Sequence, residues 1–101
     1  MKLSITRGGG VAGITTRTEL DAGDLEPADA EAFMARARAV DLPDPGGLAS
    51  PQPDETLYTV CLEDAGGRTE VHYTDGTLPE DVRELIAWAD LRPERRERVG
   101  P

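Results

Sequence analysis

The stretch Leu57-Tyr58-Thr59-Val60-Cys61-Leu62-Glu63-Asp64-Ala65-Gly66-Gly67-Arg68-Thr69-Glu70-Val71-His72-Tyr73-Thr74 decides the fold. Two runs rich in aromatic and β-branched residues flank a bend of small residues, the pattern of a β-hairpin. Leu57 to Asp64 and Arg68 to Thr74 are read as its strands, with Ala65-Gly66-Gly67 at the bend. A register that sets Val60 opposite Val71 also sets Tyr58 opposite Tyr73 and Leu62 opposite Thr69. One register satisfies all three pairs on one face, and a slip by one residue would turn each of them to the other side.

Upstream, residues 41 to 56 hold Pro43, Pro45, Pro51 and Pro53 with Gly46 and Gly47, too many breakers for a regular element. This connecting loop is long for a compact domain, so it is either disordered in part or held down by Leu42 and Leu48 packing onto the body. Before it, Pro27 suits the first turn of a helix, and Ala30, Phe33, Ala37 and Val40 recur at three and four residues as one apolar stripe. Glu26, Asp29 and Glu31 near the start and Arg36 and Arg38 near the end complement the helix dipole.

At the N-terminus, Leu3 and Ile5 alternate with Lys2, Ser4 and Thr6 as in a half-buried strand. Ile14, Thr16, Thr18 and Leu20 form one face of a second strand. Gly8-Gly9-Gly10 between them can reverse the chain, because glycine takes positive φ without steric cost. Residues 2 to 20 are thus read as a hairpin. Past the second hairpin, Thr77-Leu78-Pro79-Glu80 has the form of a capping box, and Val82, Leu85, Ile86 and Ala89 continue as an amphipathic helix that Pro93 ends. Trp88 lies off the main stripe and is read as a core-edge residue. The tail interleaves Arg92, Arg95, Arg96 and Arg98 with Glu94 and Glu97 and is read as a solvated helix end. The order β-β-α-β-β-α predicts an α+β domain over 1–101, with a four-stranded, mainly antiparallel sheet covered by helices on one face.

With 101 residues the chain fits one domain that buries roughly two-thirds of its unfolded surface. Eleven basic against twenty acidic residues give a formal charge of -9, a field that repels phosphate backbones and anionic membranes. No nucleic-acid or membrane partner is therefore expected. Met1 runs straight into alternating residues without the apolar run of a signal peptide, so the expected location is the cytoplasm. The single cysteine excludes an internal disulfide, and no His/Cys cluster has zinc-ligand spacing.

Cys61 and His72 are the one thiol and the one imidazole, and the register puts them diagonally on the same outer face, about 7 Å apart at Cβ. A nucleophile also needs an orienting group for its base and donors for an oxyanion, and a flat strand face offers neither. No catalytic residue is assigned. Asp21/Asp24, Glu63/Asp64 and Asp75-Gly76 lack the regular oxygen alternation of a calcium loop and are read as turns, so no metal or cofactor is expected. A phosphate-cradling role for Gly8-Gly9-Gly10 fails because a strand, not a lysine and a helix, follows.

Across most of its length the chain resembles the emfourin (protealysin inhibitor) family of small bacterial proteins. The residues that carry the resemblance are Gly9-Gly10-Val11-Ala12-Gly13-Ile14, the Pro27-to-Phe33 helix start, Tyr58, Val60, the Glu63-Asp64-Ala65-Gly66-Gly67-Arg68 turn, Val71, Asp75, Leu78-Pro79-Glu80 and Leu85-Ile86-Ala87-Trp88. Cys61, Gly8 and the Pro-rich stretch 43 to 53 stand apart from that pattern. The resemblance implies a cystatin-like fold and a protein inhibitor, not an enzyme, acting on a thermolysin/protealysin-like zinc metalloprotease. It would block the cleft sterically and be monomeric when free. The expected contact residues are Gly8, Gly9, Gly10, Val11 and Ala12 at one tip and Ala65, Gly66, Gly67 and Arg68 at the other, the two tips projecting from the same end of the sheet. The alternative is a small acidic interaction module that pairs another chain along its sheet edge without inhibiting anything.

Overall fold

The computed structural model describes residues 1–9, 14–40, 42 and 56–100. Among these, the elements run β1 (Lys2–Gly9), β2 (Thr15–Asp21), a 3-10 turn (Ala22–Asp24), α1 (Pro27–Ala39), β3 (Thr56–Asp64), β4 (Gly67–Thr74), α2 (Glu80–Asp90) and β5 (Arg96–Gly100). The strands form a five-stranded sheet in the order β4-β3-β1-β2-β5, and every neighbouring pair is antiparallel.

Both hairpins form; the second has the expected register, Val60 opposite Val71, Tyr58 opposite Tyr73 and Leu62 opposite Thr69, and the first sets Leu3 opposite Leu20. The reason is burial of one face. Leu3, Ile5, Leu20 and Val60 are at most 1 % exposed, and the register sets them on neighbouring strands of that face. Phe33 and Ala37 of α1 and Val82, Leu85, Ile86 and Ala89 of α2 join the same core, so both helices lie on this side. Leu42, at the start of the connecting loop, packs against it; Leu48 lies outside the described residues. Phe33 stacks on Trp88 at 5.9 Å and 7°. Arg36 and Arg92 lie 5.4 Å and 5.5 Å from the Trp88 ring centroid, which places Trp88 at the core edge. No described helix is long and apolar enough to cross a membrane.

The sheet has one strand more than the sequence predicts. Arg96–Gly100 pairs with β2 as β5, so the tail is an edge strand and not a solvated helix end. The capping box is also absent. Pro79 occupies the N-cap of α2 without a side-chain cap bond, while the Thr77 hydroxyl accepts from the Thr74 amide at 2.8 Å and so closes the end of β4. The last turn of α2 carries no basic residue and ends on Asp90, the wrong charge for the helix dipole. Arg7 of β1 supplies the missing cation through a two-pronged pair to Asp90 at 2.6 Å and 3.0 Å.

Two turns confirm that isolated carboxylates serve the backbone. The Asp21 carboxylate accepts from the Gly23 amide at 2.9 Å and that of Asp64 from the Gly66 amide at 2.8 Å. Gly67, where β4 begins, has φ of 145°, a region that side-chain-bearing residues rarely adopt. Gly67→Ala is therefore expected to cost about 1–3 kcal/mol although a methyl group would meet open space. A urea titration with an unchanged slope and a lower midpoint would show it; an unchanged midpoint would contradict it.

Candidate functional site

The register settles where the two small-residue tips lie. β1 and β3 run antiparallel side by side, with Gly9 opposite Thr56 and Lys2 opposite Glu63. The β1–β2 tip thus leaves the sheet beside Gly9, whereas the β3–β4 tip leaves it beside Lys2, about 23 Å away along the strands. The expectation that both project from the same end is overturned. A shared end would require β1 and β3 to be parallel.

At the β1–β2 end, Gly8 and Gly9 are not the turn itself. They extend β1 and pair with Leu57 and Thr56, while Gly10, Val11 and Ala12 lie outside the described residues. A Cβ on Gly8 would come within 2.9 Å of the Thr15 Oγ1, so glycine at this position allows the close approach of β2 at the neck of the hairpin. Apolar side chains crowd this end. Ile14 is 53 % exposed and lies just ahead of β2 instead of within it; Leu57 is 42 % exposed beside Gly8; Val99 of β5 is 69 % exposed and pairs with Thr16. Leu91, 82 % exposed, follows the Asp90 that Arg7 holds. These four are the large exposed apolar residues of the described chain. Period two could have flagged Leu57, since the face of Tyr58 and Val60 excludes it. Val99 needed the fifth strand to be known.

At the β3–β4 end the surroundings differ. Ala65 and Gly66 line a shallow groove with Met1, Met34, Arg38 and Asp64. Arg68 points back along the outer sheet face, where its Nε donates to the Cys61 Sγ at 3.1 Å and its guanidinium lies 4.0 Å and 3.8 Å from Glu63 and Glu70.

The pairing of Cys61 with His72 dissolves in the same geometry. Cys61 is 8 % exposed and spent on Arg68, while the Thr59 hydroxyl is bonded to His72 Nδ1 at 3.0 Å. Each has another neighbour, and neither has the arrangement that would make a nucleophile of the thiol.

A family model described as Emfourin matches residues 5–90. The chain belongs to the emfourin family. No curated protein and no solved structure matches it. Emfourins are protein inhibitors of proteases, directed at metalloproteases of the protealysin type, and are not enzymes. The family membership therefore assigns this chain a general role as a protease inhibitor, and its surface is to be read for docking, not for catalysis.

Electrostatics on the open sheet face serve stability. Glu19 is flanked by Lys2 at 3.3 Å and Arg17 at 2.8 Å. Burial alone would raise the Glu19 carboxyl, but hydrogen bonds from Lys2 and Arg17 outweigh it and hold it below the usual glutamate range. The folded state thus binds this proton less readily than the unfolded chain. The stabilisation is fully present above the ordinary value of about 4.3 and is lost as pH falls through the lower folded value. Glu19→Gln is expected to flatten the acid limb of stability against pH, measured as urea midpoints between about pH 6 and pH 3; an acid limb as steep as before would contradict it.

Proposed function

We propose that this emfourin inhibits a thermolysin/protealysin-like zinc metalloprotease by laying its β1–β2 end across the active-site cleft. Blockage is steric: the small residues Gly8, Gly9, Gly10, Val11 and Ala12 let the backbone approach closely, and no group of the inhibitor takes part in chemistry. The observation that carries this reading is that Ile14, Leu57 and Val99 leave apolar side chains exposed at that end, Val99 on the helix-side face and Leu57 on the opposite one, so that both faces of the sheet offer apolar contacts beside the tip. With the tips at opposite ends, one cleft meets one of them. The Ala65 to Arg68 tip, framed by Glu63, Asp64 and Glu70, is then a distant surface. The free chain is a cytoplasmic monomer in this reading.

The alternative of a non-inhibitory adaptor draws on a different feature. β4 pairs with β3 alone, and residues 67–70 of this edge are exposed and open to strand addition. The test is residual activity of a thermolysin-type protease, with a serine protease as control, titrated with the purified chain. Selective loss of metalloprotease activity near one equivalent supports inhibition. No loss against several such enzymes supports the adaptor.

A further inference from the structure

The family match ends at Asp90, yet the chain continues and builds β5 along the free edge of β2. Local energetics give little reason for this strand. None of Arg96 to Val99 is buried, so β5 gains little from the hydrophobic effect. Arg98 is set directly opposite Arg17, and like charges at such a position are destabilising. The opposed Glu19 and Arg96, with an Arg96 to Asp24 bridge at 3.6 Å, hold the far end.

What the segment does supply is apolar surface. Leu91 and Val99, the two most exposed of the large apolar side chains, both lie beyond the matched residues. Val99 stands on a row that runs through Thr16 and Arg7 to Tyr58, and Arg7 ties down Asp90, the neighbour of Leu91. Both residues therefore flank the β1–β2 tip from the helix side. A strand that breaks local rules in the free chain while presenting apolar groups beside a docking loop has its compensation in a complex.

We propose that residues 91–100 are a second docking element, in which Leu91 and Val99 clasp an apolar rim of the protease cleft while the glycine tip enters it. This rests on the inhibitor reading and names a further part of the same contact. The partner is the metalloprotease itself, because Val99 and the Arg7–Asp90 pair that leads to Leu91 lie at the end of the sheet where Gly9 opens into the tip.

The experiment titrates a thermolysin-type protease with the full chain, with the double variant Leu91→Asp/Val99→Asp and with the conservative Leu91→Met/Val99→Ile. The expected result is inhibition weakened about tenfold or more by the aspartates, retained by the conservative pair, and an unchanged thermal midpoint throughout. Full potency of the aspartate variant would overturn this inference and leave the inhibitor reading standing. A fall in thermal midpoint that accounts for the loss would assign the segment to stability and overturn it equally. Absence of inhibition by the full chain would instead remove the inhibitor reading and this inference with it.

Discussion

Replacing Gly9 and Gly10 together by tryptophan is expected to weaken metalloprotease inhibition by about a hundredfold while the fold stays intact, a loss of about 2.7 kcal/mol in binding. Gly9 is the last residue of β1 and pairs with Thr56, the first of β3, so the change falls at the rim of the sheet. Gly8 is the wrong site for this test, because a Cβ there would press on Thr15 at 2.9 Å and disturb the hairpin neck as well as the contact. Bulk at the tip centre removes the close backbone approach on which steric blockage depends, and the centre of an interface is where binding energy concentrates. The measurement pairs an inhibition titration with a thermal melt. The same substitution at Gly66, on the far tip, should leave inhibition alone. Unchanged potency of the Gly9/Gly10 variant would take the β1–β2 tip out of the contact, and a loss confined to the Gly66 variant would move the contact to the other end.

That the two tips must be tested separately follows from a feature the sequence does not carry. Each hairpin is local and legible because one face is apolar at period two: the second gives its register, Val60 with Val71 and Tyr58 with Tyr73, and the first gives its two faces, whose pairing the structure sets as Leu3 with Leu20. The pairing of β1 with β3 joins residues far apart in the chain, and its direction depends on where α1 and the loop after it return the chain. The return reaches Thr56 at the Gly9 end of β1, which makes the central pair antiparallel and sends the tips to opposite ends. β5 was illegible for another reason. Its Arg-Glu-Arg-Val run has no buried face, so neither alternation nor β-propensity marks it, and only the free edge of β2 makes it a strand. Thr77 shows the limit of motif reading: the box was in the sequence, but the hydroxyl went to Thr74. The candidate site divides the same way. The glycines were visible as a tip, whereas Ile14, Leu57, Leu91 and Val99 became a surface feature only once the sheet order brought three of them to one end and Arg7 held the fourth nearby.

Phe33→Ala is expected to be the most damaging single substitution for stability, at about 3–5 kcal/mol. Phe33 is the chain's one phenylalanine and is 0 % exposed. It is the α1 residue whose ring meets α2, stacked on Trp88 at 5.9 Å in an arrangement that adds about 0.5–1.5 kcal/mol beyond area burial. Alanine would leave a cavity between the helices and the sheet that neighbouring side chains fill only in part. It would also free the Trp88 ring, against which Arg36 and Arg92 lie. Domains of this size are stabilised by about 5–15 kcal/mol in total, so the loss is a large share of what holds the chain folded. Trp88 is the only tryptophan, and its fluorescence reports unfolding from the site of the change. A urea midpoint lowered by less than about 1 kcal/mol equivalent would show that the α1–α2 contact is not where the core draws its strength. The expected larger fall would place that strength on the helix side, away from the β1–β2 tip. The inhibitor would then be a scaffold whose stability and docking surfaces are separable, with inhibition by residual folded Phe33→Ala protein retaining the parent stoichiometry.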